Sequence, residues 1–212
     1  MEQQEAGRSA RKRQAIVDAA TTVFLSKGYS GTSMDEIAAL AAVSKQTVYK
    51  HFANKERLFA EIVRAATDQV DRVIQLVADA PITGDLSADL GRLARELLTT
   101  LMRPQLIRLR RLLIANADRF PELGLLWYER GFERALASMA DMFTRLADQG
   151  QLRLADPMAA AHHFAGMLLW IPMNKVMFCG DRHNSSKAEL HRYADAAVAA
   201  FIAAYGNPER SR

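Results

Sequence analysis

The segment SKQTVYKHFANKERLF, residues Ser44–Phe59, decides the fold that this sequence predicts. Val48 and Phe52 lie four residues apart, which places both on the inward side of a short helix. Ser44 precedes that helix at a favoured N-cap position, and Ser33 begins an earlier helix in a capping-box pattern. Two short helices joined by a turn of about three residues are typical of a helix-turn-helix.

The outward side of the second helix is polar. At about 100 degrees per residue, Gln46 lies about 200 degrees around the helix from Val48. The outward side carries Gln46, Tyr49 and Lys50, flanked by Lys45 and Thr47. Amide, hydroxyl and ammonium groups contact base edges and phosphates in a major groove. The same side chains also suit a solvated helix face, so the motif alone leaves both interpretations open.

Charge is distributed unevenly along the chain. Half of the 212 residues are apolar, which is enough for a sizeable core. The net charge is only +4, but residues 1–60 carry nine Lys/Arg against six Asp/Glu, so most of the excess lies there. A local excess of positive charge indicates a polyanionic partner.

Features of secreted and membrane proteins are missing from the sequence. Cys179 is the single cysteine, so no intrachain disulfide can form, which fits a reducing compartment. The N-terminus lacks the apolar region of a secretory signal. The longest apolar stretch, near Phe164–Ile171, is too short to span a bilayer. We therefore expect a cytoplasmic protein that does not bind membranes.

Helical periodicity runs through the whole sequence, and no alternating strand pattern interrupts it. The prediction is an all-α fold of about nine helices. The approximate helix ranges are 10–27, 33–41, 44–52, 54–79, 86–101, 104–116, 121–149, 157–179 and 186–206. We divide the chain into a flexible arm (1–9), a helix-turn-helix DNA-binding domain (10–56) and an effector-binding and dimerisation domain (57–208).

The longer stretch GYSGTSMDEIAALAAVSKQTVYKHFANKERLF, residues 28–59, resembles the DNA-binding domain of the TetR family of bacterial transcriptional regulators. The resemblance covers roughly residues 10–59. The matching positions are Gly28-Tyr29, Thr32, Ile37-Ala38, Ala41, Val43-Ser44, Thr47, Tyr49, Phe52, Lys55 and Leu58. The resemblance implies that the third helix enters the major groove of DNA.

The resemblance also implies a role for each residue in the motif. Lys45, Gln46 and Thr47 are expected at or near base edges, and Thr32, Ser44, Tyr49 and His51 at phosphates. Lys55 is expected to hold a phosphate at the start of the fourth helix, where free backbone N–H groups already favour an anion. The complete DNA-binding set is Thr32, Ser33, Ser44, Lys45, Gln46, Thr47, Tyr49, Lys50, His51 and Lys55.

Two positions depart from the usual family pattern. Relatives often have glycine in the turn where this chain has Ala42, and a left-handed conformation costs alanine about 1 kcal/mol. Relatives often have a small residue at position 46. Gln46 is therefore a candidate for determining specificity, because glutamine can form two hydrogen bonds with adenine.

The N-terminal segment contains a cluster of basic residues: Arg8, Arg11, Lys12 and Arg13. They suit either the solvated start of a helix or an arm that reaches phosphates or the adjacent minor groove. The sequence leaves both possibilities open.

The segments RFPELGLLWYERGFERAL and GQLRLADPMAAAHHFAGMLL resemble the AefR-type C-terminal domain. That resemblance implies a helical sensor and dimerisation domain, with an effector site enclosed by helices five to eight. The candidates for contacting the effector are Leu97, Leu101, Leu113, Asn116, Tyr128, Phe132, Met139, Phe164, Met167 and Trp170. Ordinary core packing is the alternative for each of them, and Asn116 also suits the end of its helix.

Two further patterns concern packing in this C-terminal part. The long helix has an apolar stripe that we expect to face inward, formed by Leu125, Tyr128, Phe132, Leu136, Met139, Phe143 and Leu146. The last two helices are rich in alanine, which lets helices approach closely. They suit a four-helix dimer interface formed by two copies, with Ala197 and Ala200 in it, or an intrachain pair.

Metal and catalytic sites are not indicated. The candidate metal ligands are His162, His163, Cys179, His183 and His191, but no second cysteine completes a structural zinc set. No phosphate-binding loop or nucleophile elbow is present. We expect no cofactor and no enzyme activity, and a redox role for Cys179 stays open.

The sequence therefore predicts a homodimeric transcriptional regulator that binds a palindromic operator on double-stranded DNA. A small apolar or amphipathic effector would release it, and repression is the usual sign of regulation in the family. One alternative is a small-molecule-binding protein or helical enzyme that retains a helix-turn-helix. Another is a dimeric DNA binder whose effector site is filled by its own side chains.

Overall fold

A computed structural model of the protein describes residues 2–78, 81–180 and 184–208, and this part is almost entirely helical. The helices are α1 Glu2–Gly31, α2 Met34–Leu40, α3 Lys45–His51, α4 Lys55–Ala78, α5 Leu86–Leu101, α6 Pro104–Ile114, α7 Pro121–Trp127, α8 Arg134–Asp148, α9 Pro157–Cys179 and α10 Lys187–Tyr205. A π-helical segment, Tyr128–Glu133, joins α7 to α8 without a break. These three elements together correspond to the single long helix of the prediction, so the all-α fold is confirmed.

The N-terminal helix is longer than expected. It begins at Glu2, within the segment for which the sequence predicts a flexible arm. It kinks at Gly28, whose φ of 71° and ψ of 176° are not helical. Glycine suits this position because it lacks the Cβ that makes positive φ unfavourable. The short continuation beyond Gly28 leads into the α1–α2 connection.

The chain forms two compact units, and neither is a single stretch of sequence. Unit 1 contains residues 1–66 and 108–127, and unit 2 contains residues 67–107 and 128–212. This division differs from the boundary after residue 56 that the sequence suggests. The difference arises because residues 108–127 pack with the N-terminal helices and α4 continues past the expected boundary.

Unit 1 is built around four aromatic rings. Phe24 and Tyr29 of α1 contact Phe59 of α4, and their ring centroids are 5.3 Å from that of Phe59 in both cases. Phe120, from the turn between α6 and α7, completes the cluster at 4.8 Å from Tyr29 and 5.6 Å from Phe59. All four side chains are buried, so residues around Phe120 are part of the core that supports the helix-turn-helix.

Unit 2 has its own aromatic centre, contributed by its last three helices. Phe143 of α8, Phe164 of α9 and Phe201 of α10 are fully buried, with ring centroids 4.9–5.6 Å apart. An ion pair between Arg95 and Asp195, 2.6 Å between Nη2 and Oδ1, also joins α5 to α10. The unit is therefore a helical bundle with an interior of its own.

Two packing predictions for this part of the chain are wrong in places. Leu125 and Tyr128, at the start of the expected inward stripe, are 56% and 53% exposed, whereas its later members Phe143 and Leu146 are fully buried. The stripe fails where the π-helical segment changes the helical repeat from 3.6 residues per turn. Ala197 lies in the core of unit 2 and not on a surface open to a second copy, which is the intrachain packing that the alanine pattern left as its alternative.

One of the two capping boxes that the sequence predicts is complete, and the other is half formed. Ser186 and Glu189 form the complete capping box expected at the start of α10. Ser33 caps α2 by accepting from the Glu36 N–H at 3.2 Å. The Glu36 carboxylate instead pairs with Lys27, 2.6 Å from Oε1 to Nζ. The hydrogen bond from the Ser33 N–H to the Glu36 carboxylate, which would complete the capping box, is therefore replaced by an ion pair with α1.

Candidate nucleic-acid interface

The helix-turn-helix is anchored from one side, as the apolar spacing predicts. Val48 of α3 and Phe52 at its end are buried, together with Ile37 and Ala38 of α2 and Phe24 of α1. Burial of apolar side chains of this size contributes about 1.5–3 kcal/mol each. The short helix α3 thus depends on this contact with the core, because an isolated helix of that length is unstable in water.

The turn between α2 and α3 contains a backbone conformation that alanine rarely adopts. Ala42 has a φ of 52°. Among the described residues, no other residue except glycine has a positive φ. Its N–H donates to the Ala39 carbonyl at 3.2 Å, and the Val43 N–H donates to the Ala38 carbonyl at 3.1 Å. The left-handed turn expected from the family pattern is therefore present, with alanine in place of glycine.

The outward side of α3 presents the polar groups that the sequence predicts. We call Gln46, Tyr49 and Lys50 the reader face, and all three are exposed. Ser44 caps the helix by accepting from the Thr47 N–H at 3.1 Å, and the two hydroxyls of Ser44 and Thr47 lie 2.8 Å apart. The cap fixes the start of α3, where a reading helix meets base edges.

Lys45, at the first position of α3, is not free in solvent. Its Nζ lies 2.6 Å from Oδ1 and 2.9 Å from Oδ2 of Asp35, on α2. The hydrogen bond and the negative charge of Asp35 raise the pKa of Lys45. Sequence reasoning did not find Asp35, because the partners are ten residues apart and meet only when the turn folds.

Thr32 does not have the geometry of a phosphate contact. Its hydroxyl donates to the Gly28 carbonyl at 2.7 Å, its N–H donates to the Tyr29 carbonyl at 3.3 Å, and the residue is buried. A phosphate needs a donor, and both donors of Thr32 are used within the chain. The role expected for Thr32 is therefore corrected to holding the end of α1, while exposed Ser33 remains a candidate.

Lys55 has a structural role that the sequence did not indicate. Its ammonium donates to the Tyr29 and Thr32 carbonyls, both at 2.9 Å, and lies 4.6 Å from the centre of the Tyr29 ring. These carbonyls lie at the C-terminal end of α1, where a cation is favoured. Partial burial and the charge of Arg119 lower the pKa of Lys55. A lysine has three donors, so a phosphate contact would use the third.

Arg119, in the turn between α6 and α7, is a further part of this site that sequence reasoning missed. Its guanidinium carbon lies 4.6 Å from the centre of the Tyr29 ring, and Nη2 lies 3.5 Å from Oε1 of Glu56. Glu56 follows Lys55 at the start of α4. No local pattern connects Arg119 to the helix-turn-helix, since the contact depends on packing between distant segments.

The basic residues near the N-terminus differ in their surroundings. Arg13 pairs with Glu61 of α4, 2.6 Å between Nη2 and Oε1, and lies 5.1 Å from the centre of the Phe52 ring. It therefore braces α1 against α4. Arg8, Arg11 and Lys12 are exposed along the outside of α1, so a contact with DNA stays a prediction for them.

The ten effector-site candidates do not share one unit. Leu113 and Asn116 belong to unit 1 and the others to unit 2. Asn116 Nδ2 donates to the Leu112 carbonyl at 2.8 Å, which is the helix-end role that the sequence left open. In unit 2, Leu97, Met139 and Phe164 are buried, Leu101 and Phe132 are half-buried, and Tyr128, Met167 and Trp170 are exposed. Tyr128 and Phe132 stack within the π-helical segment, with centroids 6.0 Å apart.

One side of α9 leaves large apolar groups uncovered. We call Met167, Trp170, Ile171 and Phe178 the apolar face; they are 44%, 69%, 54% and 86% exposed. At about 100 degrees per residue they lie on one side of the helix. Several alanines of α10 are also exposed, namely Ala196, Ala199, Ala200 and Ala203. Such a surface is typical of a protein–protein contact.

The described residues contain neither a metal-binding cluster nor a membrane-spanning helix. Among residues 2–78, 81–180 and 184–208, no group of three His, Cys, Asp or Glu side chains is placed to hold a metal ion. His183, one of the metal candidates, lies outside the described residues. Within the described part of the chain, no helix combines the length and apolar character needed to cross a membrane.

Two family models match the chain in the regions described above. A model of bacterial regulatory proteins of the tetR family matches residues 16–62. A model of the C-terminal domain of AefR-like transcriptional repressors matches residues 88–207, more than half of the chain. The chain belongs to the TetR family. Its members are transcriptional regulators, so this TetR-family protein is a DNA-binding regulator of transcription and not an enzyme.

Two solved structures each resemble 94% of the chain. A candidate TetR-family regulator from Mesorhizobium loti MAFF303099 is 53% identical, with a TM-score of 0.81, over 94% of this chain and 98% of that one. The flavonoid-responsive regulator FrrA is 30% identical, with a TM-score of 0.70, over 94% and 99% of the two chains.

A curated relative matches over a much shorter stretch. IcaR of Staphylococcus aureus (strain Newman), a negative transcriptional regulator of the biofilm operon icaADBC, is 34% identical over 61 residues. The match spans 29% of this chain and 33% of IcaR. The chain therefore spans about a third of the length of IcaR.

Proposed function

We propose that this TetR-family protein is a homodimeric repressor that binds a palindromic operator and is released by a small apolar or amphipathic effector. The observation that carries the proposal is the reader face on α3. It presents Gln46, Tyr49 and Lys50 to solvent, while Val48 on the opposite side is fully buried. A polar face supported in this way suits the major groove.

The roles within the reader differ by chemistry. Gln46 is proposed to read a base, since an amide donates and accepts at once. The phosphate contacts are proposed to come from Tyr49, Lys50 and the third donor of Lys55. Further contacts around the cap and the end of α3 are proposed for Ser33, Ser44, Lys45, Thr47 and His51.

The dimer is proposed from the apolar face of α9 and the exposed alanines of α10. Burial of exposed apolar surface against a partner is favourable by about 25 cal/mol per Å². Two-fold symmetry matches two readers to the two halves of a palindrome. Met167 and Trp170 therefore suit the contact between copies better than an enclosed effector site.

Repression and release by an effector are proposed from the relatives. IcaR is a negative regulator and FrrA is flavonoid-responsive by their names. In this chain, the stacked Tyr128 and Phe132 offer aromatic surface of the kind that binds flat apolar molecules. An effector that binds the DNA-free form more tightly lowers operator affinity by that differential affinity.

The test is selection of binding sites from a random DNA library, followed by titration of candidate effectors against the selected duplex. We expect an enriched inverted repeat bound by two copies, and loss of binding when a suitable aromatic or amphipathic compound is added. Transcription from a promoter containing that site should fall when the protein is present. Failure to enrich any sequence would contradict the proposed operator function.

A further inference from the structure

We propose that Asp35 is a positioning residue that sets DNA specificity: it holds the ammonium of Lys45 in a fixed place beside α2 and withholds it from phosphates of unrelated DNA. The inference rests on the proposed operator-reading function of α3. Lys45 begins α3, and both oxygens of Asp35 contact its Nζ, at 2.6 and 2.9 Å. The ammonium therefore has a defined direction before any DNA arrives.

The pair is not placed to stabilise the fold. The side chains of Lys45 and Asp35 are 58% and 65% exposed, and exposed ion pairs contribute little to stability because water screens them. The same exposure leaves the pair open to DNA. Its effect is therefore expected in binding and not in folding.

The charge balance of α2, the turn and α3 supports the same inference. Residues 34–51 contain two lysines, Lys45 and Lys50, and two acidic residues, Asp35 and Glu36, so their charges cancel. Each phosphate contact by a lysine releases counterions and favours every DNA sequence alike. Because Asp35 is paired with the ammonium of Lys45, one such phosphate contact is missing from non-specific complexes. The difference in affinity between operator DNA and unrelated DNA then depends more on contacts with bases.

Lys45 is also useful at a base edge only if its direction is fixed. A lysine side chain has many rotamers, and ordering it on binding lowers affinity. The contact with Asp35 orders it beforehand, next to Gln46. In the operator complex Lys45 is thus directed at a base edge, while on unrelated DNA it remains paired with Asp35.

The experiment compares variants on two duplexes. One is the duplex selected by the wild-type protein, and the other has the same length and base composition in shuffled order. For Asp35→Asn we expect affinity for the shuffled duplex to rise about 5- to 10-fold, with a log–log salt slope steeper by about one. Operator affinity should be unchanged or lower, so the ratio of the two affinities falls. Asp35→Glu should keep the wild-type ratio.

Glu36→Gln is the matched control, because it removes the same charge from the neighbouring position on α2 but breaks the pair with Lys27 instead. It should leave the salt slope and the affinity ratio near wild type. In the Lys45→Gln background, Asp35→Asn should have no further effect. Thermal unfolding should be unchanged in the Asp35 and Lys45 variants, because both side chains are exposed.

The outcomes separate this inference from the function on which it rests. If wild type binds no duplex selectively, the proposed operator function fails. If wild type is selective but Asp35→Asn keeps the same ratio, the role of Asp35 is wrong. The role is also wrong if Glu36→Gln gives the same increase as Asp35→Asn, or if the increase persists without Lys45.

Discussion

The reader face of α3 and the apolar face of α9 are both exposed, but their chemistry is opposite. The reader face offers an amide, a phenol and an ammonium, whereas Trp170 and Phe178 of the apolar face are 69% and 86% exposed. Polar groups on a surface lose little by facing water, so the reader face is stable without a partner. Large apolar groups exposed to water raise the free energy of the protein, so burial of the apolar face is favourable.

The two faces also differ in how the chain supports them. Helix α3 has seven residues, of which Val48 is buried, so caps and the adjoining Phe52 must hold it. Helix α9 has 23 residues and buries a long row of side chains, including Phe164, Leu168 and Val176. Substitutions on either exposed face should therefore change binding to a partner and leave the fold intact.

The largest effect is expected from breaking the apolar face. Trp170→Glu or Ala200→Arg places charge on exposed surface that we propose lies between copies, where an unpaired charge is unfavourable. Sedimentation should show monomers, and operator affinity should fall about 10²- to 10⁴-fold because one reader binds without the other. Ala155→Arg, at an exposed position before α9, is the control. A variant that remains dimeric would place the interface elsewhere.

Next in size is the loss of a base contact from the reader face. Gln46→Ala should reduce discrimination at one base pair in each half-site by about 1–3 kcal/mol, which is roughly 5- to 150-fold. Binding-site selection with wild type and variant measures it directly. Oligomeric state and effector response should not change. The same consensus with the same information content would assign the reading to Lys45 or Thr47.

Lys55 is expected to have a smaller effect, divided between stability and binding. Lys55→Ala removes a charged donor from the Tyr29 and Thr32 carbonyls, which we expect to lower the free energy of unfolding by about 1–3 kcal/mol. If its third donor contacts a phosphate, the salt slope of binding also becomes shallower by about one. Lys50→Ala is the control, with a shallower slope and unchanged thermal unfolding. Loss of stability with an unchanged slope would leave Lys55 a purely structural role.

The smallest effect concerns the turn before the reader face. Ala42→Gly relieves the positive φ of 52°, although glycine also adds entropy to the unfolded chain. We expect a net gain of up to about 1 kcal/mol, or a few degrees in thermal midpoint for a chain of this size. Operator preference should be retained. A loss of stability would mean that the added entropy of the unfolded chain exceeds the relief of the positive φ.

Much of the helix-turn-helix was predictable because its signals are local. The caps at Ser33 and Ser44, the inward positions of Val48 and Phe52, and the turn at Ala42 all depend on residues within a few positions of one another. Hydrogen bonds between residues three or four apart and one repeating apolar face determine these features. The all-α fold and the family resemblance follow from the same kind of pattern.

Features that depend on distant residues could not be predicted in this way. The hydroxyl of Thr32 and the ammonium of Lys55 are polar groups in a binding motif, yet both contact carbonyls at the end of α1. Periodicity also misplaced Tyr128, since a π-helical segment shifts the register of the stripe. Burial of Ala197 within its own unit depends on which helices pack together.

The sequence by itself determined the helices, the reader face and the family, because side-chain spacing and capping act over a few residues. Only the tertiary structure decided which polar side chains remain available to DNA. Asp35 meets Lys45, and Arg119 meets Tyr29, through turns and packing that bring separate segments together. Hydrogen bonds and ion pairs act over a few ångströms in space, and a linear pattern contains no record of which distant residues come that close.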